Sequence, residues 1–221
     1  MKLYVLGLGP GDPELVTVKA SKILGKVSLV FVPYSTGTNR SLVMEVVSPY
    51  INQGTIVRYI GFPMGKEVEI EALREIGKSM MEDLKLHGEG AFVTLGDPTL
   101  YSTYFRVEQF LEGVEVELIP GVTSMTACAS KLGVSLAQGD QSILITPAGR
   151  VELVEKLRDL VDTFVILKGN QKLDQIASIL QDFHLYYARR CGMKEESLGE
   201  WNGVYHMDYF SILIGVRRRD R

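Results

Sequence analysis

The stretch Thr94–Thr103, TLGDPTLYST, gathers a carboxylate, three threonines, a serine and a tyrosine around Gly96-Asp97-Pro98. It follows a short apolar run, Ala91–Leu95, that reads as a buried strand. It precedes Tyr104–Leu111, where Phe105, Val107, Phe110 and Leu111 have helical spacing. A strand-to-helix turn of this kind is a candidate ligand loop, because ligands in open α/β sheets bind beyond the carboxyl ends of the strands. The plainer reading is a Gly-Asp-Pro turn that only punctuates the chain. Two further turns have the same setting. Gly7-Leu8-Gly9-Pro10-Gly11-Asp12 closes the apolar run Lys2–Leu8, and Pro120-Gly121-Val122-Thr123-Ser124 closes Val114–Ile119.

Several chemistries are excluded. The first glycine run is G-x-G-x-G rather than G-x-G-x-x-G. The acidic residue expected about 20 positions on, which would hold a dinucleotide ribose, is absent, since the second strand ends at Val32-Pro33-Tyr34. There is no Gly-Lys-Ser/Thr of a phosphate-binding loop and no G-x-S-x-G of a hydrolase elbow. His87, His184 and His206 share no metal-ligand spacing, and neither do Cys128 and Cys191, so no metal site is expected. What remains is chemistry that asks little of side chains, such as transfer from a reactive cofactor that the protein positions.

The elements that must hold these turns follow from periodicity. Strands are expected at Lys2–Leu8, Leu29–Val32, Thr55–Ile60, Ala91–Leu95 and Val114–Ile119, with helices at Pro13–Leu24, Leu42–Tyr50, Val68–His87 and Ser124–Leu132 between or after them. That alternation predicts an α/β fold with a mainly parallel sheet. From about Ser142 the pattern is strand, helix, strand, helix, and then His184–Arg190, Glu196–Trp201 and Ser211–Arg217 as strands without helices, which predicts a mixed sheet. Two α/β lobes are therefore expected, 1–138 and 139–221, with the active site in the cleft between them.

At 221 residues, 46% apolar, 23% charged and with net charge −3, the chain has the composition of an ordinary globular protein. Nothing in its global charge favours nucleic acid or an anionic membrane, and no apolar run reaches the roughly 20 residues of a membrane helix. The basic Arg217-Arg218-Arg219 reads as a solvated tail. The N-terminus reads as neither signal nor transit peptide, and two widely separated cysteines fit a reducing, cytoplasmic setting.

Taken together, Gly7–Asp12, Leu95-Gly96-Asp97-Pro98, Pro120–Ser124, Leu167-Lys168-Gly169 and Ser211-Ile212-Leu213-Ile214 resemble the tetrapyrrole methylase family in order and spacing over nearly the whole chain. Gly96–Thr103 with its Tyr101-Ser102-Thr103, Ala137-Gln138-Gly139-Asp140 before a strand ending Thr146-Pro147-Ala148, and Val32-Pro33 with the polar loop and helix that follow are similar to the members that methylate carbon 20 of precorrin-2 or cobalt-factor II in cobalamin biosynthesis. The resemblance implies S-adenosylmethionine as methyl donor, a tetrapyrrole substrate and a homodimer. It implies that Pro10, Gly96, Asp97, Leu100, Ser102 and Thr103 line one side of the cofactor, that Thr123 and Ser124 meet it at a helix start, and that Leu167, Lys168, Cys191 and Gly192 enclose the adenosine. The first lobe would carry the substrate side, with Arg40 and Arg106 as partners for the substrate carboxylates. A sister methyltransferase acting at another ring carbon, a diphthine synthase and a non-enzymatic tetrapyrrole binder stay open.

Overall fold

The computed structural model describes residues 1–34, 37–62 and 70–218, the side chains of 37–41 excepted. It divides the chain into two compact units, Met1–Thr123 and Ser124–Arg221.

In the first unit the five expected strands form one parallel sheet. They are β1 (Lys2–Gly7), β2 (Leu29–Tyr34), β3 (Ile56–Gly61), β4 (Glu89–Thr94) and β5 (Glu115–Ile119), in the order β3-β2-β4-β1-β5. The inner strands β2, β4 and β1 are largely apolar because both faces are covered. On one face α1 (Val18–Leu24) and α2 (Gly37–Val47) bury Ala20, Leu24, Val43, Val46 and Val47 against Leu6, Val30 and Val93. On the other, α3 (Ile70–His87) and α4 (Tyr104–Val107) bury Leu73, Met80, Leu84, Tyr104 and Val107 against Leu3, Phe31 and Phe92. This doubly wound order makes β4, β1 and β5 neighbours, so the three candidate turns leave the sheet side by side.

Three helices differ from the periodic reading. The segment Pro13–Leu24 is a 3-10 turn over Pro13–Leu15, capped by Asp12, followed by α1. Val16 and Thr17 are extended between them, and the Thr17 hydroxyl takes the Ala20 N–H at 3.2 Å, which starts the helix there. Similarly, Tyr104–Leu111 is a short α4 continued as a 3-10 turn over Glu108–Phe110. The helix α2 opens at Gly37, earlier than the apolar spacing from Leu42 indicates.

The second unit holds α5 (Ser124–Leu132), β6 (Ile143–Pro147), α6 (Val151–Leu157), β7 (Thr163–Leu167), α7 (Leu173–Ile179), β8 (Phe183–Arg189), β9 (Ser197–Glu200) and β10 (Ser211–Arg217). The sheet order is β6-β7-β10-β8-β9. Only β6 and β7 are parallel, so the sheet is mixed, as expected. The division falls earlier than 138/139 because α5 buries Cys128 and Ala129 in a cluster with Val165, Leu167, Ala188, Ile212 and Ile214 of this sheet. Arg217 is no solvated tail: its guanidinium donates to Val161 O at 2.8 Å and lies 4.7 Å over the Phe183 ring.

Candidate functional site

In the first unit three glycines at the ends of adjacent strands pack backbone on backbone. A Cβ on Gly7 would lie 2.6 Å from Gly121 N, 2.7 Å from Gly121 Cα and 2.7 Å from Gly96 O, and a Cβ on Gly121 would collide with Gly96 O and Gly7. No side chain fits at that junction. The turns after β1 and β4 are joined further by a two-bond bridge, Gly9 N–H to Gly96 O at 3.3 Å and Gly96 N–H to Gly9 O at 2.7 Å. Gly96 has φ +73° and a Cβ there would meet nothing within 4 Å, so the space beside this turn is open. Pro10, buried, follows the bridge directly.

Asp97 ties the β4 turn to the β5 turn. Its Oδ1 accepts the Thr99 N–H at 2.8 Å and the Thr99 hydroxyl at 2.5 Å, and its Oδ2 accepts the Gly121 N–H at 3.0 Å. Partial burial works against the charge, but the bonds from the Thr99 hydroxyl, the Gly121 N–H and the Thr99 N–H outweigh it. They hold the carboxyl below the usual carboxylate range. Leu100 closes the turn with its N–H on Asp97 O at 3.2 Å. Tyr101, half exposed, takes the left-handed conformation at φ 56°, a strained state for a residue with a Cβ. Ser102 Oγ accepts the Tyr104 N–H at 3.2 Å, whereas Thr103, at the N-cap position of α4, makes no side-chain cap bond. Tyr104 anchors the whole turn: it is fully buried, edge-on to Phe92 at 5.9 Å, and burial, then Glu108, push its hydroxyl up to about 12.

Of the expected site residues, Pro10, Gly96, Asp97, Leu100, Ser102 and Thr103 thus fall on two turns that the backbone joins, and Thr123 ends the β5 turn that Asp97 holds. Arg106 lies on α4 with its guanidinium 5.9 Å over the Phe62 ring. The side chain of Arg40 lies outside the described residues. Periodicity had no means of finding Gly7, Gly121 and Thr99 as partners. The only trace in the sequence is a glycine at or just beyond the end of each of three strands.

In the second unit Ser124 opens α5. Leu167 ends β7 and is buried in the same cluster as Cys128 and Cys191. Lys168, also left-handed at φ 57°, places its ammonium 5.5 Å over the Tyr209 ring. Gly169 N–H bonds Ser211 O at 2.9 Å, and a Cβ at Gly169 would lie 2.7 Å from Leu173 Cδ1. Cys191 and Gly192 sit on the turn after β8. The Gly192 N–H donates to the Glu196 carboxylate, which also pairs with Lys131 of α5 at 2.7 Å. Among the described residues no group of three or more His, Cys, Asp or Glu could hold a metal ion.

Known proteins resemble this chain over most of its length. Residues 2–202 match the family model described as Tetrapyrrole (Corrin/Porphyrin) Methylases. The chain is 36% identical over 224 residues to a protein of Methanocaldococcus jannaschii named "Probable cobalt-precorrin-2 C(20)-methyltransferase", covering 96% of this chain and 95% of that one. It is 33% identical over 184 residues to the cobalt-precorrin-2 C(20)-methyltransferase of Salmonella typhimurium, covering 81% of this chain and 77% of that one. In fold it is similar to a uroporphyrin-III C-methyltransferase from Thermus thermophilus solved with S-adenosylhomocysteine. The TM-score is 0.70 at 21% identity, covering 98% of this chain and 97% of that one.

Proposed function

The chain belongs to the tetrapyrrole methylase family, and from that premise we propose that it is an S-adenosylmethionine-dependent methyltransferase of cobalamin biosynthesis. It methylates carbon 20 of the precorrin-2 macrocycle, in its cobalt form. The observation that carries this reading is the 36% identity, over 96% of the chain, to a relative named for that reaction.

The residues fit the cofactor. The turns of the first unit meet backbone on backbone and through the Asp97 carboxylate, and the space beside Gly96 is open. Pro10, Gly96, Asp97, Leu100, Ser102 and Thr103 line it, Thr123 and Ser124 place N–H groups at a helix start for a carboxylate, and Leu167, Lys168, Cys191 and Gly192 hold the adenosine. When bound, S-adenosylmethionine supplies an electrophilic methyl on a cationic sulfur for the nucleophilic meso carbon of the macrocycle. The chain contributes alignment, dipoles fixed before reaction and exclusion of water. Asp97 acts through its turn: with both oxygens engaged by Thr99 and Gly121, it sets where the backbone groups point. Arg40 and Arg106 receive substrate carboxylates as charge-assisted hydrogen-bond donors.

The same reading extends to a cytoplasmic homodimer. The dimer is supported by Val116 and Leu118, apolar and exposed on the edge strand β5. Light scattering on the purified protein tests it. The function itself is tested by calorimetry with S-adenosylhomocysteine, together with transfer of label from methyl-labelled cofactor to cobalt-factor II. Saturable binding and label in the macrocycle support the reading. Binding without transfer to any precorrin overturns the assigned reaction.

A further inference from the structure

The strand β10 lies between β7 and β8 and runs against both, so Ser211, its first residue, enters the sheet where they leave it. The turns that carry Lys168, Cys191 and Gly192 therefore flank the segment Asp208–Ser211, and both are bonded to it. After β7, the Gly169 N–H donates to Ser211 O at 2.9 Å, and the Lys168 ammonium lies 5.5 Å over the Tyr209 ring. After β8, the Arg190 N–H donates to Phe210 O at 2.9 Å.

One carboxylate fixes this segment and the second turn together. Asp208 Oδ1 accepts the Phe210 N–H at 3.0 Å, and the Asp208 carbonyl accepts the Ser211 N–H at 3.1 Å. Asp208 Oδ2 accepts from Arg189 Nε at 3.1 Å and from Arg190 Nε at 2.6 Å, and the side chain is only 13% exposed. Glu195, further along the turn, holds the same two guanidinium groups at 3.0 and 3.2 Å. Lys168 at φ 57° and Arg190 at φ 50° are left-handed. That conformation costs energy in a residue with a Cβ and persists where the surroundings over-determine it.

The plainer reading is an ion pair that only stabilises the fold. It accounts poorly for the arrangement, because a largely buried carboxylate between two guanidinium groups gains little over apolar side chains of similar volume once desolvation is counted. What the cluster does supply is one fixed geometry for two turns and the segment between them. We propose that Asp208 is a positioning residue for the cofactor. It sets the Arg190–Gly192 turn directly and the Lys168–Gly169 turn through Tyr209 and Ser211, so that Lys168, Cys191 and Gly192 meet the adenosine as one surface. This rests on the adenosine role proposed above for those three residues.

The test compares wild type, Asp208→Asn and Arg190→Gln by calorimetry with S-adenosylhomocysteine, steady-state methyl transfer to cobalt-factor II and thermal unfolding. Asp208→Asn keeps the size of the side chain but removes the charge that both arginines meet. Arg190→Gln leaves the Arg189 and Phe210 bonds to Asp208 in place, so it decides the matter if Asp208→Asn does not fold. Both variants should bind S-adenosylhomocysteine about 5- to 150-fold more weakly, the ordinary range of coupling between separate sites. KM for S-adenosylmethionine should rise by a similar factor, with KM for the tetrapyrrole and kcat at saturating cofactor unchanged, as expected when only cofactor binding is lost. A lower Tm with unchanged affinity would make the cluster a device of stability alone and overturn the proposal. An equal rise in both KM values, the mark of a general distortion, would overturn it too. A wild-type chain that binds no S-adenosylhomocysteine refutes the cofactor reading and this proposal with it; wild type and variants that bind equally well refute this proposal alone.

Discussion

Gly7→Ala places one methyl group where three strand ends meet. The new Cβ would lie 2.6 Å from Gly121 N and 2.7 Å from both Gly121 Cα and Gly96 O, all of them backbone atoms that cannot rotate away. Relief requires the β4 and β5 turns to shift by roughly 0.5–1 Å, against the Gly9–Gly96 bridge and the Asp97 bonds. Overpacking of this kind costs about 1–3 kcal/mol. For a chain of this size that is a fall in Tm of about 2–12 °C. Displacing a binding turn by about 1 Å costs up to ~100-fold in rate. Thermal unfolding, calorimetry with S-adenosylhomocysteine and steady-state methyl transfer would be measured on Gly7→Ala and on the control Gly54→Ala, where the added Cβ meets nothing within 4 Å. The control should match wild type. A Gly7→Ala protein with unchanged Tm and unchanged affinity would refute the argument that these glycines set the site.

Asp97→Asn keeps the shape but turns an amide N–H towards either Gly121 or Thr99, both of which donate. Loss of one charge-assisted bond should cost about 1.5–3 kcal/mol, with a weaker cofactor affinity read by calorimetry. Because the Asp97 carboxyl is held below its ordinary range, its contribution is complete above that range and is lost as pH falls through the lowered value. Stability curves of wild type and variant should therefore converge in acid. Tyr104 works in the opposite direction. With its hydroxyl raised from 10.0 to about 12, the folded state keeps the proton longer than the unfolded one. Stability therefore falls between about pH 10 and 12, by roughly 3 kcal/mol in total, and Tyr104→Phe should remove that slope in denaturant titrations across the window. Arg106→Ala should raise KM for the tetrapyrrole while leaving S-adenosylhomocysteine affinity unchanged. A loss of cofactor affinity instead would remove Arg106 from the substrate side.

Strands were the most legible part of the sequence. Runs such as Leu29–Val32 and Phe164–Leu167 are continuously apolar because they are covered on both faces, and bounded runs of that length have few other uses. Helix ends were less so. Thr17 starts α1 through a single hydroxyl bond, and nothing in the apolar spacing distinguishes it from Asp12, which caps the 3-10 turn before it. The division between units was misplaced because α5 carries small residues, Ala127, Cys128 and Ala129, with no shift in composition to say which sheet they pack on. The site was legible as three separate turns but not as one assembly. Contact between Gly7, Gly96 and Gly121 depends on β1 lying between β4 and β5 in parallel register, a tertiary fact.

The central claim is the position of the new methyl group. The direct test supplies S-adenosylmethionine carrying a 13C methyl together with cobalt-factor II, and reads the isolated product by mass spectrometry and NMR. The account predicts one added methyl, located at carbon 20. A methyl at any other ring carbon, or no transfer by a chain that still binds S-adenosylhomocysteine, would contradict it.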